Sequence, residues 1–424
     1  MTPEPVLDRP DPLRCGCDAA ATEGLLPVDV ALVRALALAR PVAGIETLTL
    51  AAAAGRITAA PVTSPLPLPP FDNAAMDGYG LDPAALAGPG PWVLPLAGRA
   101  RAGDAPGRCP PGSALRILTG AAIPEGVKAV VPQEEVQRQD GRIVLRQRPA
   151  PGAHIRRAGS DLTAGAVVLA AGRAIGPREA GALAAAGQGR VAVRRRVRVA
   201  ILSTGSELVE PGQPLAPGQI WNANRAQLAA ALALPFVELI DLGPVPDVPE
   251  RIAAALGRAA EEADLIVTTG GVSVGDEDHT TRLVRAAGGA VHAMRLAMKP
   301  GKPLTLGTLA GAVWLGLPGN PVAAFVAWTV LGAPVLRAMA GMADPGPRKL
   351  IARLAAGVTH RAGRCEYRPA RHLGHDARGV AAVRCLSGPG SHRAAQLAQA
   401  DGLALIPADA EALPEGALVE FLPF

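Results

Sequence analysis

The 424-residue sequence is short of cysteine, aromatic residues and lysine, and each shortage excludes something. Five cysteines form no disulfide framework, and no Cys-x-x-Cys pair occurs. That usage fits a reduced, cytoplasmic protein. Four Trp, two Tyr and five Phe are too few for base stacking along a strand, and a net charge of +5 is small for the length. Nucleic-acid binding is therefore poorly supported. Residues 303–336 carry no charge, yet Gly and Pro punctuate them. The longest stretch free of both, Val322 to Leu331, is too short to span a bilayer. A buried strand, a turn and a buried helix are expected there, with no membrane span. The N-terminus has no basic region followed by an apolar run, so no signal peptide is expected. The Walker A pattern, a dinucleotide GxGxxG after a strand and the GxSxG elbow are all absent. Of the seven histidines only His372 and His375 have ligand-like spacing, in a stretch that reads as surface loop.

What is present points to a multidomain globular chain. Hydrophobic residues make up 49% and charged residues 19%. Residues 61–160 are rich in Pro and Gly with short β-like runs (WVLPL, ALRIL, AVVPQ, RIVLR), which predicts a small β-rich domain. From residue 197 apolar runs ending in polar turns alternate with helical stretches. That pattern predicts an open, doubly wound, mostly parallel α/β sheet, with ligands beyond the carboxyl ends of its strands. From residue 347 short strands and turns predict a terminal β domain.

The rare residues mark the turns that matter. All four Asn (73, 222, 224 and 320) lie in turns or helix starts. Two of the four Lys, Lys299 and Lys302, stand in KPGK, in a chain that otherwise writes basic positions as Arg. Lys offers a compact point charge suited to phosphate, although a solvated turn accounts for the same residues. TTGGVSVGDEDH (268–279) follows an apolar strand. Gly270, Gly271 and Gly275 let backbone amides curl round an anion, with Ser273 among them. Asp276, Glu277 and Asp278 beside that nest suggest Mg2+ between carboxylates and phosphate, or simply acids favoured at a helix start. In PGNPV, Asn320 is expected as N-cap and Pro321 as the first helical residue, with Pro318 and Gly319 in the turn. STGSEL (203–208) supplies Ser203 and Glu207 at a further strand end, and Asp247 follows FVELIDLG. In the β-rich segment Asp72 and Asp77 lie in FDNAAMDGYG, Thr119 in RILTGAAIPEG, and Arg156, Arg157 and Asp161 in HIRRAGSDL.

Taken together, FDNAAMDGY, RILTGAAIPEG, HIRRAGSD, ILSTGSEL, GGVSVGDED, KPGKP, GLPGNP and PGSH resemble the molybdopterin molybdenumtransferases, the MoeA proteins and the E-domain of gephyrin. The resemblance covers about residues 25 to 424. It implies a cytoplasmic homodimer that completes molybdenum cofactor synthesis. Such enzymes take adenylylated molybdopterin and molybdate and, with Mg2+, release AMP and leave Mo on the dithiolene. The implied division is a disordered tail (1–24), an elongated α+β linker domain (25–63 and 162–195), a β-rich domain (64–161), a molybdopterin-binding α/β domain (196–346) and a small C-terminal β-barrel (347–424). Carried over by motif, the catalytic residues are Asp77, Thr119, Asp161, Glu207, Asp247, Asp278, Lys299, Arg368 and Ser391. Gly270, Gly271, Ser273, Gly275, Lys302, Pro318, Gly319 and Asn320 bind substrate, Arg156 and Ser203 match molybdate positions, and Asp247 and Asp278 match metal ligands. The sequence departs from the family pattern at Gly80, Ser206, His279 and Arg295. A molybdopterin adenylyltransferase and a non-catalytic pterin-binding scaffold remain as rival readings.

Overall fold

The computed structural model describes residues 24–271, 279–376, 378–386 and 393–424. Four strands, Val197–Thr204, Val237–Val245, Leu265–Thr269 and Ala312–Leu317, run parallel in one six-stranded sheet. Successive side chains on a strand point to opposite faces, so a sheet covered on both sides is apolar at every position. Here Val197, Val199, Ile201, Leu265, Val267, Val313, Leu315 and Leu317 join one core cluster. Their neighbours Ala200, Leu202, Ile266 and Trp314 join the other. Helices Ala223–Ala231 and Pro321–Ala327 contribute to the first face, Pro249–Glu262 and His279–Ala286 to the second. Local sequence sets these helices. Asn222 Oδ1 accepts from Arg225 N at 3.1 Å, and Pro249 occupies a first-turn position that needs no N–H partner.

The sheet continues beyond the alternating pattern. Ala290–Arg295 and Pro303–Leu309 form an antiparallel edge, Pro303–Leu309 pairing with Ala312–Leu317 through the tight turn at Ala310 and Gly311. The uncharged stretch thus holds two strands where one was expected. Its helix also runs further than its Gly and Pro suggested. From Pro321 to Met339 it spans 19 residues, long and apolar enough to cross a membrane by length and composition, with 72% of its most apolar window buried in the protein. It passes Gly332 and Pro334 through a π-type turn at Trp328–Gly332, where Ala333 N–H bonds to Trp328 O five residues back. The wider turn moves the bonding partners where Pro334 has no N–H to give. Gly332 is required because any Cβ would collide with the Trp328 ring.

The β-rich segment forms its own six-stranded sheet in the order 129–132, 78–81, 114–117, 92–100, 142–145, 136–139, around Tyr79, Leu81, Leu94, Val131, Ile143 and Leu145. In the segment between, Ile45–Thr49 pairs with Arg190–Arg194 and Val62–Thr63 with Val167–Leu169, and helix Pro177–Ala185 lies alongside. Residues 25–42, expected in that linker, pack instead on the α/β domain. Leu25, Val28, Ala31 and Ala35 enter its core, and Leu26 N donates to Arg295 O at 2.7 Å. At the C-terminus Leu350–Leu354, Cys365–His375, Ala381–Cys385, Gly402–Ile406 and Leu418–Pro423 close into a five-stranded barrel. A two-residue strand of the α/β domain, Met298–Lys299, adds in parallel to Cys365–Glu366 and joins the barrel to the KPGK loop.

Candidate active site

The parallel strands end in turns that hold one another. After Thr204 the chain turns at Gly205; Ser206 N donates to Asp247 Oδ2 at 3.2 Å, and Asp247 N donates to Ser206 Oγ at 3.2 Å. Ser206, a departure from the family pattern, thus fixes the Asp247 turn through its hydroxyl. The Glu207 carboxylate folds back over Gly205, where a Cβ would strike it. Gly270 and Gly271 follow the central strand at φ +84° and +63°, backbone that a side chain disfavours. A Cβ on Gly270 would also collide with the Thr204 carbonyl. Gly319 lies against this turn, a Cβ built on it standing 3.8 Å from Gly270 Cα, and Asn224 Nδ2 donates to Gly319 O at 2.6 Å. Glu207, Asp247, Gly270, Gly271 and Gly319 are therefore gathered at one end of the sheet. Ser203, expected to meet molybdate, lies on the inner part of its strand end. It is 2% exposed, and its Oγ accepts from Thr269 Oγ1 at 2.9 Å, bracing two strands.

Beside these turns a cleft of about 460 Å³ lies between the α/β domain and the barrel. Lys299, Lys302, Arg364, Arg368 and Arg393 line it with one acid, Glu366, and Pro318 and Asn320 form part of its wall. Asn320 occupies the N-cap position, but its side chain makes no capping hydrogen bond and faces the cleft instead. Glu366, His360 and Tyr367 escaped the sequence reading. A single acid in a strand of mixed character, CEYRPARHLGH, carries no motif. Only the pairing of Met298–Lys299 with Cys365–Glu366 brings it to Lys299.

A second cluster occupies the β-rich lobe. Asp77 Oδ1 accepts from Thr119 Oγ1 at 2.6 Å and from Thr119 N at 2.7 Å. Those hydrogen bonds, the hydroxyl first, hold the Asp77 carboxyl below its ordinary value, with Arg116 and Arg99 adding positive charge nearby. Asp72 accepts from Ala158 N at 2.8 Å and from Arg157 Nη1 at 2.6 Å, and the backbone bond, followed by the guanidinium, lowers it likewise. Arg156 pairs with Asn73 in a short antiparallel ladder, and Asp161 N donates to Leu68 O at 2.9 Å. Asp77, Arg156 and Asp161 are exposed. Among the described residues no hydrogen bond or ion pair joins this cluster to the strand-end cluster or to the cleft.

Ser273, Gly275, Asp276, Glu277, Asp278 and Ser391, together with Cys15 and Cys17 of the expected tail, lie outside the described residues. Among the described residues no group of three or more His, Cys, Asp or Glu could hold a metal ion. Mg2+ takes one or two carboxylates and completes its shell with water and substrate phosphate. Asp247 and Glu207, hard oxygen donors on two interlocked turns, fit that requirement.

Glycine turns, carboxylates and a cationic cleft at the carboxyl end of a doubly wound sheet are the features of an α/β enzyme whose site suits anionic ligands. Comparison with known proteins makes the class specific: the chain belongs to the molybdopterin molybdenumtransferase (MoeA) family. Residues 26–187 match the MoeA N-terminal region (domain I and II), residues 200–338 the probable molybdopterin binding domain, and residues 351–424 the MoeA C-terminal region (domain IV). Molybdopterin molybdenumtransferase 2 of Mycobacterium tuberculosis is 39% identical over 372 residues, covering 86% of this chain and 91% of the relative. The Haemophilus influenzae molybdopterin molybdenumtransferase is 42% identical over 298 residues, covering 70% and 73%. A crystal structure of a molybdopterin biosynthesis MoeA protein from Pyrococcus horikoshii superposes with a TM-score of 0.80 at 28% identity, covering 94% of this chain and 100% of that one. The enzyme has a role in molybdenum cofactor biosynthesis.

Proposed function

We propose that this enzyme inserts molybdenum from molybdate into adenylylated molybdopterin in a Mg2+-dependent reaction that releases AMP, acting as a cytoplasmic homodimer. The observation that carries the reading is the cleft, where five cationic side chains meet beside the Pro318–Asn320 turn at the strand ends. Lys299 and Lys302 offer point charges to the substrate pyrophosphate, and Arg364 and Arg368 extend the positive wall. The glycine turn at 270–271 lets the ligand approach backbone closely. Asp247 and Glu207 would hold the metal. Bound Mg2+ would neutralise charge on the phosphate oxygens as the phosphoanhydride breaks. Asp77, Thr119, Arg156 and Asp161 would complete the site from the β-rich lobe of the partner subunit. Among the described residues no hydrogen bond or ion pair ties them to the cleft within one chain, which supports this arrangement.

The test is turnover with adenylylated molybdopterin, molybdate and Mg2+, following AMP. AMP release that needs both molybdate and Mg2+ is the expected result. Pyrophosphate release from ATP in its place would identify an adenylyltransferase, and ligand binding without turnover a scaffold. Within this reading, Lys299→Ala should weaken binding of the adenylylated substrate about tenfold, as the loss of one charged hydrogen bond does. Lys299→Arg should restore it only in part, because a planar fork does not replace a point charge. Calorimetry checks this, and equal affinity of the two variants would count against a direct phosphate contact.

A further inference from the structure

The floor of the cleft holds one acid among cations, and its geometry is specific. Glu366 is 3% exposed at its side chain. Arg368 donates to both of its oxygens, Nε to Oε1 at 3.2 Å and Nη2 to Oε2 at 2.8 Å. Lys299 Nζ stands 3.6 Å from Oε2, reaching across from the α/β domain. On the far side the fully buried His360 ring places Nδ1 3.4 Å from the same oxygen, while its Nε2 lies 3.0 Å from the Pro407 carbonyl. A carbonyl only accepts, so Nε2 carries a proton. Two cationic groups from two domains, Lys299 and Arg368, therefore meet on one carboxylate, and both also line the cleft.

We propose that Glu366 is a positioning residue for the reaction. It sets Lys299 and Arg368 in place before substrate arrives. Two physical points support this. A lysine side chain has many rotamers, and in an empty cationic cleft its neighbours Lys302, Arg364 and Arg368 would push it outward; an anion beneath it removes that freedom. A carboxylate that has already oriented the donors leaves less reorganisation for the reaction itself. The same negative charge opposes an anionic ligand, so Glu366 contributes to positioning at some cost in ground-state affinity. A residue that only held the barrel together would show the reverse balance.

The inference rests on the proposed phosphate role of the cleft, and the experiment separates the two. Glu366→Gln keeps the shape and removes the charge. It should lower kcat about tenfold or more, as displaced catalytic groups do, while KM for adenylylated molybdopterin stays level or falls. Glu366→Asp, with the charge kept but drawn back, should have a kcat between Gln and wild type. Binding of inorganic pyrophosphate by calorimetry should be no weaker in Glu366→Gln and clearly weaker in Lys299→Ala. A folded Glu366→Gln enzyme with wild-type kcat, or one that only raises KM, overturns the positioning role. If Glu366→Gln does not fold, wild-type kcat in Glu366→Asp overturns it. Pyrophosphate binding that Lys299→Ala leaves unchanged would instead overturn the phosphate reading of the cleft.

Discussion

Mixing inactive Asp77→Ala and inactive Asp247→Ala subunits, and letting them exchange, should recover about a quarter of wild-type AMP release if each site is shared across a two-fold interface. Half of a random mixture is then mixed dimer, and each mixed dimer holds one site with both lesions and one with neither. The expectation follows from placement. Asp77 is tied to Thr119 in the β-rich lobe, whereas Asp247 is tied to Ser206 at the sheet edge. Each cluster is incomplete: the lobe has carboxylates and arginines without the glycine turns, and the sheet edge has the turns without Arg156 and Asp161. Mixed dimers seen by mass spectrometry with no recovered activity would place both acids in one subunit's site.

A second large effect is expected on stability, at Asp264. Arg195 clasps this carboxylate with Nη1 at 2.7 Å and Nη2 at 2.8 Å, and Arg198 N donates to it at 2.9 Å. Its side chain is 14% exposed, and it links the linker segment to the first residues of two parallel strands. Burial alone would raise its pKa; the Arg195 hydrogen bonds and the Arg198 amide outweigh burial and hold it below the ordinary 3.8. Asp264→Ala removes one partner of a largely buried pair and should cost about 2 to 3 kcal/mol, less than a fully buried pair because Arg195 and Arg198 retain some water. The pH dependence has a definite sign. A lowered carboxyl contributes stability that is fully present above the unfolded value and is lost as pH falls through the folded value. Wild type should therefore lose stability below about pH 4 more steeply than Asp264→Asn. Parallel denaturation curves for the two proteins between pH 5 and about pH 2.5 would remove Asp264 from the acid response.

The sequence made the sheet domain and its edge legible for a physical reason. Strand ends at a ligand site need backbone that only glycine, asparagine and proline supply readily, so Gly270, Gly271, Asn224, Gly319 and Asn320 stood out by residue type alone. The antiparallel edge was hidden. Ala290–Arg295, Pro303–Leu309 and Ala312–Leu317 join as consecutive antiparallel hairpins, with no helix between them to mark the alternation. The extent of helix Pro321–Met339 was hidden as well, because Gly332 and Pro334 read as breakers until the π-type turn absorbs them. Ser203 carried the right motif in a buried position, a difference that only the Thr269 contact discloses. Glu366 had no motif, since its partners lie on the same strand two residues on and in another domain.

The seam between Met298–Lys299 and Cys365–Glu366 also governs how the cleft can move. Main-chain pairing along these residues, with Cys365 N bonded to Ala297 O at 3.0 Å, means the barrel cannot swing away from the KPGK loop without breaking backbone hydrogen bonds. The cleft walls therefore travel as one body. Adjustment to a ligand falls to the lysine and arginine side chains, which turn over in nanoseconds, rather than to a slow hinge. A ligand at this end would then meet a frame of set width, fitted by side-chain rotation and not by parting of the domains.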